Sequence, residues 1–224
     1  MFARAWFARV HSSSVKRRVI LQRVMPETLL SLHTPSPVGP LFLVASAKGL
    51  VRLEFKARMQ KLPESIRLQE SEAALAPEFA PYIRELNQYF AGERREFSFP
   101  LDLRGTDFQL ACWNALLQIP YGATCSYRDI AVAIGHPHAF RAVGMSNNRN
   151  PIAIVVPCHR VIASDGSLCG YGGGLDLKCK LLDLEQRNLR PGERLSRGSA
   201  FKKSTLDHDR PDDDRPCLPF PIGA

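Results

Sequence analysis

The chain has 224 residues, of which 45% are hydrophobic, and it carries a formal net charge of +8. This is the composition of an ordinary globular protein, and no apolar stretch is long enough to cross a bilayer. The six cysteines form no Cys-x-x-Cys pair and the six histidines are scattered. No zinc site can therefore be recognised from the spacing of these residues, and the pattern favours free thiols in a reducing compartment.

Residues 1–27 form a basic leader. Residues 1–25 contain six Lys or Arg and no acidic residue, so most of the net charge lies there. Bulk charge therefore does not by itself indicate that the body of the chain binds nucleic acid. The leader is similar in composition to an organelle transit peptide. An upstream start codon, with Met25 as the working initiator, explains it equally well, and in either case the leader is expected to be disordered.

Residues 28–103 predict a small N-terminal domain made of a sheet and a helix. Two apolar runs flank Ser46–Gly49, which is the pattern of a β-hairpin. Apolar residues at helical spacing predict a helix over 78–91. A further strand is expected around Phe97–Leu103.

Residues 104–190 predict a mostly helical C-terminal domain, which makes the fold class α/β (α+β). Thr106 and Ser126 are each expected to cap the N-terminus of a helix. The helix after Ser126 ends at Gly135, and a second short helix runs from about 139 to 147, so the pair has a helix-turn-helix pattern. Many such pairs pack together without touching DNA. A last helix is predicted over 175–186, and the polar, Pro- and Asp-rich tail 191–224 is expected to be disordered.

The most informative segment is Pro157–Val161, whose sequence is PCHRV. It follows the apolar run Ile152–Val156, which predicts a buried strand. Cys158 would then be held at the end of that strand, and His159 and Arg160 beside it can both favour the thiolate, the form of cysteine that attacks electrophiles. The alternative is that Cys158 is a buried structural thiol.

A cysteine nucleophile needs a base, and the base needs a group that orients it. Successive residues of an extended chain point to opposite faces, so a water bridge between Cys158 and His159 is favoured over a direct hydrogen bond. Glu185, on the last predicted helix, is the candidate for orienting the imidazole. A cysteine hydrolase would also need an oxyanion site, and none can be identified in the sequence.

The stretch from Gly105 to Gln186 resembles the O6-alkylguanine-DNA alkyltransferases, also called methylated-DNA–protein-cysteine methyltransferases. The N-terminal part resembles them more loosely, through residues 34–41 and 48–50. The C-terminal elements that carry the resemblance agree in order and in spacing: Ser126-Tyr127, Arg141-Ala142-Val143-Gly144, Asn150-Pro151, Pro157–Val161, Gly173-Gly174-Leu175, Lys178, Leu181-Leu182 and Glu185.

The resemblance implies DNA repair by direct reversal of damage. The alkyl group of O6-alkylguanine, with O4-alkylthymine as an open second substrate, would pass irreversibly to Cys158 in a single turnover. The implied partner is double-stranded DNA, bound through the minor groove and without sequence preference by a monomer. No cofactor, metal or membrane is expected. The implied location is intracellular, cytoplasmic or nuclear, with organelle targeting by the leader left open.

The resemblance also implies roles for individual residues. The catalytic set would be Cys158 as the nucleophile with His159, Glu185, Tyr127 and Asn150. The flipped nucleotide would be replaced in the duplex by Arg141, and the DNA-contacting set would be Arg141, Ala142, Tyr127, Ser126 and Arg149. The substrate pocket would be lined by Val161, Tyr171, Gly172, Gly173, Lys178 and Pro151.

Two positions depart from the family pattern. Some members have Ser where this chain has Gly172, which concerns lesion preference, and Cys179 stands where a polar or charged residue is expected. Two other functions are alternatives. A non-enzymatic lesion-binding relative would lack the acceptor, so Cys158 argues against it. A helix-turn-helix regulator would need an extra domain, for which the chain has little room.

Overall fold

The computed structural model describes residues 27–55, 66–70, 77–168 and 170–190. The basic leader and the polar tail predicted from the sequence lie outside these residues, apart from Glu27, which begins the first strand. Within the described ranges, no helix is both long enough and apolar enough to span a membrane.

The N-terminal part is a four-stranded sheet with one helix. Its strands are β1 (Glu27–Thr34), β2 (Leu41–Ser46), β3 (Gly49–Phe55) and β4 (Ile66–Glu70), in the spatial order β3-β2-β1-β4. The first three strands pair antiparallel, whereas β4 pairs parallel to β1. The predicted hairpin around Ser46–Gly49 is confirmed as β2 and β3.

The predicted helix over 78–91 is confirmed as α1 (Ala80–Phe90), which follows a 3-10 turn. The strand expected around Phe97–Leu103 is wrong, because the segment makes only an isolated bridge between Leu101 and Leu50. Pro100 has no N–H to donate to a ladder. Its carbonyl instead accepts from Leu50 at 3.0 Å. The close approach needs Gly49, whose φ is +147° and whose added Cβ would lie 2.4 Å from the Pro100 oxygen.

The C-terminal part contains four helices: α2 (Asp107–Leu116), α3 (Tyr127–Ala133), α4 (Phe140–Asn148) and α5 (Leu175–Arg187). Two short parallel strands, β5 (Cys125–Ser126) and β6 (Val161–Ile162), lie between them. Thr106 and Ser126 cap α2 and α3 as predicted, each in a reciprocal capping box. The α3–α4 pair confirms the helix-turn-helix, and the α/β (α+β) fold class is confirmed as well.

The strand predicted over Ile152–Val156 is wrong. The run is buried, but it folds into tight turns in which Val155 N–H donates to Ala153 O at 2.8 Å and Val156 N–H donates to Ile152 O at 2.9 Å. Ile154 has a φ of +71°. This left-handed conformation is strained for a β-branched residue. The run is apolar because core surrounds it on every side, so its composition alone could not distinguish a strand from a buried turn.

One hydrophobic core joins the two parts of the chain. Leu53 from the sheet, Phe79 beside α1, Trp113 from α2 and Leu181 from α5 all belong to a single buried cluster. The backbone crosses the boundary too, because Leu53 N–H donates to Pro151 O and Ala153 N–H donates to Leu53 O, both at 2.9 Å. The sheet therefore supports the segment that leads to Cys158.

Candidate active site

Cys158 begins a 3-10 turn that runs to Arg160, rather than ending a strand. Its side chain is only 4% exposed. The Asn150 amide donates from Nδ2 to the Cys158 sulfur at 3.0 Å and to Val156 O at 2.7 Å, while its Oδ1 accepts from Ile152 N–H at 3.0 Å. A donor on the sulfur favours the thiolate over the thiol. Asn150 thus braces the turn and contacts the Cys158 sulfur with the same side chain.

His159 and Glu185 are both completely buried, and His159 Nε2 lies 2.8 Å from Glu185 Oε1. Burial opposes the negative charge of Glu185, but His159 and Arg160 outweigh it and hold the pKa of that carboxyl well below its usual range. An ionised carboxylate only accepts hydrogen bonds, so Nε2 carries the proton and the neutral ring has its lone pair at Nδ1. Among the residues the structure describes, none hydrogen-bonds to this buried Nδ1.

Arg160 is directed at Glu185. Its Nε and Nη2 donate to the two carboxylate oxygens at 2.9 to 3.2 Å, and its Nη1 donates to Ile119 O at 2.6 Å. Burial lowers the pKa of His159, and the positive charges of Arg160 and Lys178 lower it further, against the opposing pull of Glu185. A neutral His159 can therefore accept a proton.

Two further groups reach the same carboxylate from other elements. Tyr89 on α1 donates its hydroxyl to Glu185 Oε1 at 2.8 Å, and the Gly122 N–H donates to Oε2 at 2.9 Å. Sequence reasoning missed Tyr89, Gly122 and the Arg160 ion pair, because these contacts join residues far apart in the chain. A fully buried charged residue has to be paired, but the sequence alone does not show that Glu185 is buried.

The predicted pocket residues precede or follow the Cys158–Arg160 turn in the chain. Lys178 is fully buried and its Nζ donates to Val161 O at 2.7 Å, so the lysine crosses from α5 to β6. Pro151 accepts from Leu53 through its carbonyl. Tyr171, Gly172 and Gly173 are half-buried. A Cβ on Gly173 would lie 2.6 Å from a Leu177 methyl and 3.1 Å from the Tyr171 ring, so a larger residue there would require the Leu177 side chain to move.

The predicted DNA-contacting residues lie on the helix-turn-helix. Arg141 and Ala142 are exposed on α4, and Arg149 is exposed directly after its last residue. Tyr127 is half-buried, with its ring 3.8 Å from a Cβ placed on Gly144. Ser126 differs, since it is 6% exposed and its hydroxyl is committed to the capping box with Asp129. The structure thus assigns Ser126 a capping role.

The helix-turn-helix and the cysteine turn are joined through β5 and β6. Cys125 pairs with Val161 and Ser126 pairs with Ile162. Tyr127 directly follows one strand, and the Cys158–Arg160 turn directly precedes the other. Because the two strands are parallel, Tyr127 and the Cys158–Arg160 turn lie at opposite ends of this short pair, and the pairing ties the segment before α3 to the segment that follows Cys158.

Comparison with known proteins shows which family the chain belongs to. Residues 107–187 match the DNA-binding domain of 6-O-methylguanine DNA methyltransferase, and residues 30–103 match its ribonuclease-like domain. The chain belongs to the 6-O-methylguanine DNA methyltransferase family. It is accordingly a DNA-binding repair methyltransferase, which moves a methyl group from O6-methylguanine to a cysteine.

Individual relatives of the family align over most of their length. The methylated-DNA–protein-cysteine methyltransferase of Methanosarcina barkeri is 48% identical over 155 residues, covering 69% of this chain and 96% of that protein. The inducible enzyme of Bacillus subtilis is 43% identical over 157 residues, covering 70% and 85%. The crystal structure of Mycobacterium tuberculosis OGT in complex with DNA has 46% identity and a TM-score of 0.65, covering 71% of this chain and 94% of that one.

Proposed function

We propose that Cys158 is the methyl acceptor of this methyltransferase. The observation that carries the proposal is the joint geometry of Cys158 and His159. Asn150 donates to the sulfur at 3.0 Å, and the next residue, His159, is fixed by Glu185 with its lone pair at Nδ1. Through one water, Nδ1 accepts the thiol proton. The pattern differs from a direct cysteine–histidine pair, because His159 is hydrogen-bonded through Nε2 to Glu185 and not to Cys158.

The reaction is a displacement at the methyl carbon. The Cys158 thiol passes its proton towards His159, and the resulting thiolate attacks the methyl carbon of O6-methylguanine. A sulfur–carbon bond forms as the carbon–oxygen bond breaks, and the bond's electron pair stays on the guanine oxygen. The guanine then takes up a proton, for which the Tyr127 hydroxyl is the proposed donor. The thioether product has no good leaving group, so each molecule repairs one lesion.

The lesion must come to the cysteine, since Cys158 is 4% exposed and a base inside the duplex is out of reach. The target nucleotide is flipped out, and Arg141 on the first turn of α4 fills its place in the stack. The guanidinium suits this position because it stays charged while its plane stacks on the bases. Backbone groups of the pocket around Val161 and Gly172 contact the edges of the flipped base.

DNA is bound through the minor groove by α4, without sequence preference. Arg128, Arg141 and Arg149 are all exposed on the helix-turn-helix and can neutralise phosphates. Phe140 and Met145 are exposed large apolar side chains on the same helix, at 38% and 59%. Apolar side chains that wedge between base steps are a feature of minor-groove binding. We propose that the protein binds DNA as a monomer.

The protein is proposed to work in an intracellular, reducing compartment that contains DNA, either cytoplasmic or nuclear. Its described cysteines are free: Cys112, Cys125, Cys158 and Cys179. Free thiols are typical of such compartments. Expression of a tagged full-length chain, followed by fractionation of cells, tests this, and recovery in a secreted fraction would contradict it.

The acceptor is tested with duplex DNA carrying O6-methylguanine labelled in the methyl group. We expect one label per protein molecule, mapped by peptide mass spectrometry to Cys158 and abolished in Cys158→Ala. Cys179→Ala, which removes a half-buried thiol on α5, is the matched control and should retain full transfer. Label on another residue, or several turnovers per molecule, would refute the proposal. The same assay with O4-methylthymine in the duplex tests whether this base is a second substrate.

The role of Arg141 is tested by comparing DNA duplexes with single strands. Arg141→Ala should slow repair in duplex DNA by at least about tenfold while changing repair in a short single strand much less, because a single strand leaves no gap to fill. Arg128→Ala, an exposed arginine on α3, is the control and should weaken both substrates similarly through lost phosphate contact. An equal loss on both substrates for Arg141→Ala would remove the flipping role.

A further inference from the structure

Tyr89 reaches the catalytic relay from outside the part of the chain that carries Cys158. It lies on α1 and is fully buried, and its hydroxyl donates to Glu185 Oε1 at 2.8 Å. The same oxygen lies 2.8 Å from His159 Nε2. Arg160 Nε and Nη2 donate to it as well, at 3.2 and 2.9 Å. Donors on one oxygen share its charge, so the strength of one hydrogen bond affects the others.

The rest of the carboxylate is already occupied. The Gly122 N–H and the Arg160 Nε donate to the other oxygen, Oε2, at 2.9 and 3.0 Å. Burial raises the pKa of Tyr89 well above its ordinary value, and the neighbouring charge of Glu185 raises it further. Tyr89 therefore remains a protonated donor throughout the working pH range.

We infer that Tyr89 is a positioning residue for methyl transfer, acting through Glu185 to set the orientation and the basicity of His159. The inference rests on the proposed role of His159 as the group that takes the Cys158 proton. It gives the N-terminal part of the chain a function in the chemistry, because α1 supplies one of the groups that holds the relay.

The direction of the effect follows from the charges around the imidazole. Arg160 and Lys178 disfavour a positive charge on His159, and Glu185 favours it. The Tyr89 hydroxyl withdraws charge from Glu185. Removing that hydroxyl leaves the carboxylate more negative towards His159, so the imidazole becomes more basic and protonates at higher pH. A protonated His159 cannot accept the thiol proton.

Packing is the competing explanation for Tyr89. Its ring lies in an aromatic cluster, with ring centroids 5.5 Å from Phe90, 5.5 Å from Phe97 and 5.9 Å from Tyr121. Phenylalanine keeps the ring and removes only the hydroxyl, so Tyr89→Phe separates the two explanations. Tyr82 is a matched control, because it lies on the same helix, is 7% exposed and packs its ring against Phe99 at 4.8 Å.

The experiment measures single-turnover methyl transfer from duplex O6-methylguanine to full-length protein, at pH values from well below to well above the ordinary histidine pKa of 6.5. In Tyr89→Phe the acid-side midpoint of the rate profile should move up by on the order of half a pH unit. It should not move in Tyr82→Phe. A Tyr89→Phe profile that superimposes on the parent, or an equal shift in Tyr82→Phe, would overturn the inference.

A second measurement tests the inference even if Tyr89→Phe folds poorly. Replacing Tyr89 by 3-fluorotyrosine keeps the hydroxyl and makes it a stronger donor, so the acid-side midpoint should move down instead. Titration of the His159 ring nitrogens by NMR, assigned with His159→Gln, should show the same two directions. Opposite or absent shifts would refute the inference, whereas failure of the parent protein to label Cys158 would refute the proposed acceptor instead.

Discussion

At the scale of single residues, Asn150 is the side chain on which both structure and reactivity depend. Its amide makes three hydrogen bonds, to Ile152 N–H, Val156 O and the Cys158 sulfur. All three partners are buried. Loss of the amide therefore leaves buried polar groups unpaired and removes a donor from the nucleophile.

Asn150→Ala should lower the free energy of unfolding by roughly 2 to 4 kcal/mol, because buried partners left without hydrogen bonds each cost about 1 to 3 kcal/mol. It should also slow alkylation of Cys158 by iodoacetamide, a small electrophile that needs no base recognition. Urea unfolding and the rate of alkylation measure the two effects.

Asn147 provides the matched control. It is also buried, on α4, but neither atom of its amide is hydrogen-bonded to any residue that the structure describes. Asn147→Ala should lower the free energy of unfolding by less than about 1 kcal/mol, since no partner loses a hydrogen bond. Equal losses in the two variants would show that burial of an amide, and not its hydrogen bonds, accounts for the effect of Asn150→Ala.

The buried His159–Glu185 pair makes stability depend on pH. The pKa of Glu185 is below its unfolded value of 4.5, so its contribution is present above that pH and is lost as the pH falls. The pKa of His159 is below its unfolded value of 6.5, so below that pH the unfolded chain binds the extra proton and gains stability relative to the fold. Both effects act in the same direction.

The free energy of unfolding should therefore fall as the pH drops below 6.5 and fall more steeply below 4.5. Urea unfolding at a series of pH values measures it. In His159→Gln the decline between these two values should become shallower, while the steeper part should remain. A free energy that is constant or rises on acidification would contradict the assignment of a neutral His159 beside an ionised Glu185.

At the scale of elements, the two capping boxes give a controlled comparison. Thr106 caps α2 and Ser126 caps α3 with the same reciprocal pattern. Each change to alanine should lower the free energy of unfolding by about 1 kcal/mol. Only Ser126→Ala should also weaken binding to undamaged duplex DNA, because α3 carries Tyr127 and packs on α4. Fluorescence anisotropy measures the binding, and equal weakening by Thr106→Ala would contradict a local effect.

Element-scale signals were also the most predictable part of the fold. Helices α1 to α5 follow from apolar periodicity and from caps such as Thr106, which act within a few residues of the chain. The apolar run ending at Val156 gave a wrong strand prediction because β-branched residues also fill buried turns. In addition, Ile154 adopts a left-handed conformation that its residue type does not favour. Strand β4 has no distinctive signal of its own and was not predicted.

The site was predictable only as far as short motifs reach. Asn150, Cys158 and His159 lie within ten residues and share one recognisable pattern. The contacts of Tyr89 and Arg160 with Glu185 span 96 and 25 residues, so they depend on the tertiary fold. The net charge did not predict the proposed DNA-binding surface, because most of that charge lies in the leader, whereas Arg128, Arg141 and Arg149 are exposed on the helix-turn-helix.

At the scale of the whole molecule, the two parts should unfold together. Leu53 is fully buried in the cluster that also contains Trp113, and its backbone pairs with the segment before Cys158. A shared core of this kind favours a single cooperative transition. In a Trp6→Phe background, Trp113 is the one remaining tryptophan. Urea curves from its fluorescence and from far-UV circular dichroism should coincide.

Leu53→Ala should shift both of these curves together, at a cost of roughly 2 to 5 kcal/mol for the truncated core leucine. The substitution lies in the sheet and the fluorescent reporter lies in α2, so a common shift requires coupling between the two parts. A tryptophan curve that stays in place while the circular dichroism curve moves would show that the parts unfold independently.

The depth at which Cys158 lies has a consequence for how long the protein lasts. A protein that is consumed by its own reaction must keep its thiol unreacted until it meets a lesion. Peroxides and abundant electrophiles attack exposed, low-pKa thiolates first. With 4% of its surface accessible, Cys158 is shielded from such attrition. The cell's repair capacity then equals its stock of intact molecules. Burial of the sulfur keeps these molecules intact until they meet a lesion. The property that this fold protects is therefore the lifetime of the unreacted thiol, rather than a turnover number.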